Sequence, residues 1–350
     1  MKEKYELVKS DTIKVSGHKL YRIKALIDFG HVRKGELGGY IEDYRNLSHY
    51  DNCWVYDNAM IFENAWISGD ARVYDRAKIY NSARVYENAV IYDNVKIYGN
   101  ASVNGNAVIT RKARIFDNAE VSGYARVSDN AKIYGNAVIT DNANVDDKAR
   151  VFDYAIVSDK GYIYGNAKIF GASKVRGSAL VYDKAKVYGM ATISGNANIF
   201  GNAEVFGEAD VYGYAKVSGD AKVHNEETIN RGNINKSLDD IKYSLAVQLG
   251  VLPDTNGYVT LYKKVMKISD SKFHSLFDTD FIYEIGKIAK VKNPDERNIA
   301  CSSGIHLSTP LYWHYGDTII ECKVHINDII TVQRGKVRCR KCKVIREVNI

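Results

Sequence analysis

The chain is predicted to form an all-β parallel solenoid of about ten 18-residue coils, followed by a small α+β domain. Three observations lead to this fold. From Cys53 to Ala221 every sixth residue is small, and 25 of these 29 positions are Ala, the others being Cys53, Val95, Gly161 and Ser173. Two residues after each stands Val or Ile, from Val55 and Ile61 to Val217 and Val223, without one insertion. The same stretch lacks proline, and no histidine occurs between His49 and His224; all three prolines (Pro253, Pro294, Pro310) fall in the last hundred residues. A helix of 3.6 residues per turn would carry the Val/Ile positions around its cylinder, and a flat sheet would need longer strands and hairpin turns. A short strand with its aliphatic side chain inward, a small residue at the tight corner and a turn fits the period. Three such units close a triangular coil, and coils stacked ~4.8 Å apart make a prism about 45 Å long.

Four segments follow in order. Residues 1–47 read as an N-terminal β cap, with short strands at 12–15 and 20–23 and glycine turns, closing a first coil whose ladder edge would otherwise invite aggregation. Residues 48–224 are the solenoid. Its turn pairs usually begin with Gly or Asp and often continue with Asn, as in Asp57-Asn58, Gly99-Asn100 and Gly201-Asn202, residues that tolerate positive φ. Residues 225–255 are a linker and capping helix: 225–235 lacks the period, Ser237-Leu-Asp-Asp240 has capping-box character, and Leu238, Ile241, Leu245 and Leu249 share one helical face ended by Gly250 and Pro253. Residues 256–350 make the α+β domain, with strands expected at 258–264, 281–285, 318–325, 328–332 and 336–348.

Composition narrows the class. Of 350 residues, 45% are apolar and 26% charged, which excludes wholesale disorder. The start, MKEKYELVKS, carries no apolar leader core, and no later stretch is long and apolar enough to span a bilayer. Five cysteines, an odd number thinly spread, suit a reducing cytoplasm rather than a disulfide framework. A net charge of +7 is a mild bias toward anionic partners.

Taking every eighteenth residue sorts the outward positions into three faces. One carries nine aromatics in nine successive coils, from Phe62 to Phe206, and seven consecutive coils pair a base with a ring: Lys78 and Tyr80, Lys96 and Tyr98, Arg114 and Phe116, Lys132 and Tyr134, Arg150 and Phe152, Lys168 and Phe170, Lys186 and Tyr188. This strip is the candidate binding surface, for a protein partner or, through ring stacking and charge, for nucleic acid or another polyanion. The alternative is a purely structural ladder of like side chains kept soluble by Lys and Arg. A second face, with Trp54, Tyr56, Val90, Tyr92, Tyr162, Tyr164, Leu180 and Tyr182, is the better surface for self-association. The third is mostly small and polar.

The repeat resembles the hexapeptide-repeat proteins, which implies a left-handed parallel β-helix. Residues 20–225 are most similar to the YdcK-like branch, through Val32-Arg-Lys-Gly35-Glu-Leu-Gly38-Gly39-Tyr40-Ile41, Asn46-Leu47-Ser48 and Asn52-Cys53-Trp54-Val55-Tyr56-Asp57; that resemblance implies a fold and no activity. Many hexapeptide proteins are acyl-CoA-dependent acyltransferases with a histidine base, and others are zinc enzymes with three histidines. Neither histidine set exists in residues 50–223, so the expected protein is a non-enzymatic binding or scaffold protein without a cofactor, and acyl transfer is the alternative.

The C-terminal domain adds three candidates. Gly257-Tyr-Val-Thr-Leu-Tyr262-Lys-Lys-Val265, Cys301-Ser-Ser-Gly304-Ile-His306-Leu, Gly316-Asp317 and Gly335-Lys-Val-Arg338 resemble a domain of phage and prophage accessory proteins, which implies a phage or prophage origin. The Gly-Ile-His-Leu-Ser-Thr run is similar to ADP-ribosyltransferase-like strands, making His306 with Cys301, His314 and Asp317 a candidate catalytic cluster. Cys339 and Cys342, with Cys301, Cys322 or His306, are a candidate zinc site, although residues three apart on a regular strand face opposite sides and would meet at one metal only across a turn or bulge. Lys336, Arg338, Arg340, Lys341, Lys343 and Arg346 form a basic run that is either a solvated strand face or an extension of the basic strip.

Overall fold

The computed structural model describes residues 3–224, 227–237, 240–297, 302–312 and 314–348. From Trp54–Val55 onward every repeat unit supplies a two-residue strand, and within the repeat strands pair in parallel at a spacing of 18 residues: Lys96–Ile97 lies between Lys78–Ile79 and Arg114–Ile115. Three stacks result, in sheets of 13, 11 and 10 strands. The Val/Ile column and the Ala column are buried, forming one continuous core from Val55 to Ile234. The architecture is therefore the parallel β-solenoid that the period predicts.

Each coil bonds to the next through alternate backbone amides. In one coil the N–H groups of Asn94, Lys96 and Tyr98 donate to the carbonyls of Arg111, Ala113 and Ile115 at 2.8, 3.1 and 3.0 Å. The turn residue between, Asp93, sits at φ 61°. Its own N–H is taken by the carboxylate of Asp75 at 2.9 Å, and its carboxylate accepts the N–H of Arg111 at 3.0 Å. Gly and Asp thus share this column for different reasons: Gly relieves the left-handed backbone, and Asp adds a hydrogen bond to the next coil.

The cap is larger than the expected short strands. β1 (Tyr5–Val15) and β2 (His18–Ala25) form an antiparallel hairpin, and β2 pairs with β3 (Leu37–Ile41), which runs parallel to Met60–Ile61. The hairpin therefore extends the aromatic-basic sheet. Trp54, fully buried, plugs the first coil between the rings of Tyr5 and Phe29. The buried Lys4 ammonium donates to the carbonyls of Tyr50 and Cys53 at 3.2 and 3.1 Å.

At the other end the solenoid continues into the segment expected to be a linker. Thr228–Ile229 pairs with Asp210–Val211, and Asn233–Ile234 with Lys216–Val217. Helix α1 (Ile241–Leu249) starts at Asp240, not Ser237: the Asp240 carboxylate accepts the N–H of Tyr243 at 3.1 Å, and Gly250 closes the helix in the left-handed conformation. Leu238 lies outside the described residues, while Ile241, Leu245 and Leu249 pack into the C-terminal core. The Tyr243 hydroxyl instead reaches back, accepting from the N–H of Asn235 and donating to the carbonyl of Asn233 at the last coil.

The C-terminal module is β-rich, and α1 is the one α-helix among the described residues. Its main sheet runs in the order Ile288–Lys290, Lys341–Val348, Thr318–His325, Tyr258–Ser269, Ile305–Ser308, Lys336–Cys339 and Ile329–Gln333. The single strand expected over 336–348 is two strands, broken at Arg340.

Candidate functional site

The aromatic strip is a spine. Consecutive rings from Phe62 to Phe206 stack with centroids 4.8–5.1 Å apart and planes within 7°, and His224 closes the series over Phe206 at 5.1 Å. Strand spacing imposes this geometry, because side chains one coil apart lie about as far apart as stacked rings prefer. Desolvation raises the phenol pKa values of Tyr80, Tyr98, Tyr134 and Tyr188. Each interior ring is covered above and below by its neighbours, so the spine offers edges and no open face for a nucleobase to stack on.

The cations do something different. Lys96, Arg114, Lys132, Arg150 and Lys168, on the strands, and Asn94, Lys112, Asn130, Lys148 and Asn166, at the preceding turns, line one longitudinal groove of about 620 Å³. Between the two columns lies the small inward residue, Val95 or Ala in the next four coils, and this dip creates the groove. Five coils give it a length of about 20 Å. No ring and no carboxylate lines it. Among the described residues, none of its seven cations forms an ion pair, whereas further along the row Lys186 is held by Glu204 at 2.8 Å. Lys78 and Lys186 of the expected strip lie outside the groove lining. Lys112 and Lys148 were not among the expected residues; their signal is the Asn/Lys alternation at every eighteenth residue from Asn94 to Asn166.

On the mixed face the rings are also laddered, Tyr56–Tyr74–Tyr92 and Tyr164–Tyr182–Phe200. Between these ladders Asp129, Asp146 and Asp147 bring their carboxylates within 4.8 Å of one another, with Arg111 bonded to Asp129. The hydrogen bond shared with Asp146 raises the Asp129 carboxyl.

Of the expected catalytic residues that are described, only His306 lines the cavity of the C-terminal module, a space of about 500 Å³ shared with Lys263, Tyr283, Phe281, Ser303 and Lys336. Asp317 does not line it; its carboxylate accepts the N–H of Lys267 at 3.0 Å. His314 is exposed, and Cys301 lies outside the described residues. Cys339 and Cys342 flank the break at Arg340, and both are buried in the core with Cys322. Burial raises the Cys339 thiol, and a hydrogen bond with Cys342 together with burial raises that of Cys322. Cys322 lies in hydrogen-bond contact with Cys342, while among the described residues the aspartate trio is the one group of three metal-capable side chains whose ligand atoms all lie within 4.8 Å of one another.

Four of the six cations of the basic run are engaged within the C-terminal module. Arg338 is 1% exposed and donates to the backbone carbonyls of Asp295 and Ser303. Arg340 pairs with Glu296, Lys341 with Asp328 at 3.5 Å and Arg346 with Glu321 at 2.8 Å.

Fold and groove together define a β-solenoid repeat protein with a cationic groove along one edge. No family model matches the chain, and no curated protein matches it. No helix among the described residues is long and apolar enough to cross a membrane.

Proposed function

We propose that this protein is a non-enzymatic binding rod whose groove holds an extended linear polyanion, read through charge alone. The observation that carries this reading is the groove lining: seven cations, three asparagines, no carboxylate and no ion pair. Two unit charges one coil apart repel by about 0.9 kcal/mol in a water-like medium before screening. A multivalent anion running along the coils relieves that repulsion, and releasing its counterions favours binding. The covered ring faces favour a sequence-independent backbone contact over base stacking. The four described cysteines are free thiols, which supports a reducing, cytoplasmic setting.

The test is fluorescence anisotropy of a labelled oligothymidylate across a salt series, with inorganic polyphosphate as competitor. Affinity should fall linearly in log–log form with salt, polyphosphate should compete, and Lys96→Glu, Arg114→Glu and Lys132→Glu combined should abolish binding at an unchanged melting temperature. Retained binding in the triple variant would remove the groove from consideration.

Self-association through the mixed face is the second reading, favoured by its laddered tyrosines, of which Tyr92 is 37% exposed. Sedimentation velocity of Tyr92→Asp against the parent protein tests it: a shift of the variant toward monomer supports the face, and an unchanged profile, or a parent protein that is itself monomeric, removes it.

A further inference from the structure

The C-terminal module buries an amine that the groove does not use. Strand Tyr258–Ser269 alternates between buried and half-buried residues, and its inward positions are Val259, Leu261, Lys263 and Val265. Lys263 therefore occupies a slot that its neighbours fill with aliphatic side chains. It is 6% exposed, its Nζ lies 3.3 Å from the carbonyl oxygen of His306, and the same Nζ is 5.8 Å from the centre of the Tyr283 ring. Desolvation lowers its pKa, because removing an ammonium from water favours the neutral amine. The lysine forms part of the wall of the cavity of about 500 Å³, whose apolar walls include Phe281, Tyr283 and Val291 and whose polar groups include His306, Ser303, Asp278 and Lys336. That volume falls within the range of small-molecule sites.

We propose that this cavity binds a small aldehyde or ketone with an apolar body, which Lys263 captures as an imine. A neutral lysine held in apolar surroundings is a carbonyl nucleophile. Its nitrogen lone pair attacks the carbonyl carbon, a C–N bond forms, and the carbonyl π electrons move to oxygen, which takes the first of the two amine protons. Nitrogen then gives up its second proton to the same oxygen as the C=N bond forms and the C–O bond breaks, and oxygen leaves as water. Amine and carbonyl become imine and water, with no oxidant or reductant. His306, lining the same cavity, is the group that carries a proton between nitrogen and the departing oxygen. None of these residues belongs to the groove, so either site can fail without the other.

The experiment is reductive trapping of the full-length protein with benzaldehyde and sodium cyanoborohydride near neutral pH, followed by proteolysis and mass spectrometry. The neutral fraction of an amine rises about tenfold for each pH unit by which its pKa falls. Lys263 should therefore be benzylated faster than the exposed Lys174 and Lys216. Ser303→Trp, at the exposed rim, should suppress labelling of Lys263 and leave that of Lys174 unchanged. Labelling of Lys263 no faster than the surface lysines would overturn the proposal, as would fast labelling that survives the rim substitution.

Discussion

Asp93 and Ile133 represent the two kinds of residue that hold a coil. The Asp93 carboxylate satisfies an amide in the next coil that the backbone ladder leaves unused. Asp93→Ala keeps the left-handed strain and loses a charge-assisted bond, and should cost about 1–3 kcal/mol in urea denaturation, with Asp93→Gly milder. Ile133 is fully buried, so Ile133→Ala should cost about 2–5 kcal/mol, against roughly 0.5 kcal/mol or less for the outward Lys132→Ala. His18 adds a pH dependence at the cap. Its ring nitrogens lie 2.9 Å from Glu42 and 3.4 Å from Glu63. The hydrogen bond to Glu42, followed by the two carboxylate charges, raises its pKa against an opposing desolvation. Burial pushes Glu42 up, but the bonds from His18 and from the Glu63 amide outweigh it, and its pKa is lowered. The histidine contribution is complete below its unfolded value of about 6.5 and is lost as pH rises through the higher folded value; the Glu42 contribution is complete above about 4.3 and is lost as pH falls through the lower one. Protection factors of the amides across β1 and β2, exchange being normalised to its intrinsic rate at each pH, should therefore be highest between about pH 4.5 and 6.5 and lower at pH 9, and His18→Gln should flatten the alkaline limb.

The ring spine shows what one element type contributes when it is repeated. Phe116 and Phe152 flank Tyr134, and ring centres lie 4.9 and 4.8 Å away on its two sides. Tyr134→Phe should be nearly neutral in thermal unfolding, while Tyr134→Ala opens a gap between two stacked partners and should cost about 1–3 kcal/mol. These columns were legible because inward and outward positions repeat with a fixed phase. The last two rungs were not: Ile234 follows Ile229 by five residues, and the small corner before Ile229 is taken by Glu227, whose carbonyl still accepts the N–H of Asp210 at 2.8 Å. Backbone pairing there survives after the side-chain pattern has lapsed. The cap hairpin has no repeat to betray its partner. The groove was only half legible, since its strand cations follow the period but the contribution of Lys112 and Lys148 depends on which turn residue points along the edge. Lys263 could have been found from the alternation of Val259, Leu261 and Val265.

For the whole molecule, stability depends on nearest-neighbour coils and on how the two ends are finished. The hairpin of β1 and β2 covers the first rungs of one sheet, with Leu20 packed against Tyr40 and Phe62. Removing residues 1–25 should expose that edge and make the protein associate in concentration-dependent light scattering, while the distant coils keep their circular dichroism. Deleting one full coil, residues 127–144, should preserve every row and give a folded, shorter rod. Deleting only six residues, 127–132, should leave a fold but rotate all later rows by one face, splitting the groove and abolishing polyanion binding. The constant 18-residue register has a last consequence. The groove advances by one fixed step per coil, with Met60 standing in its strand column at one end and Glu204 at the other. On the proposed polyanion reading such an object is a ruler: the number of coils would set how long a stretch of cargo it measures, and evolution or design could change that length only in whole graduations.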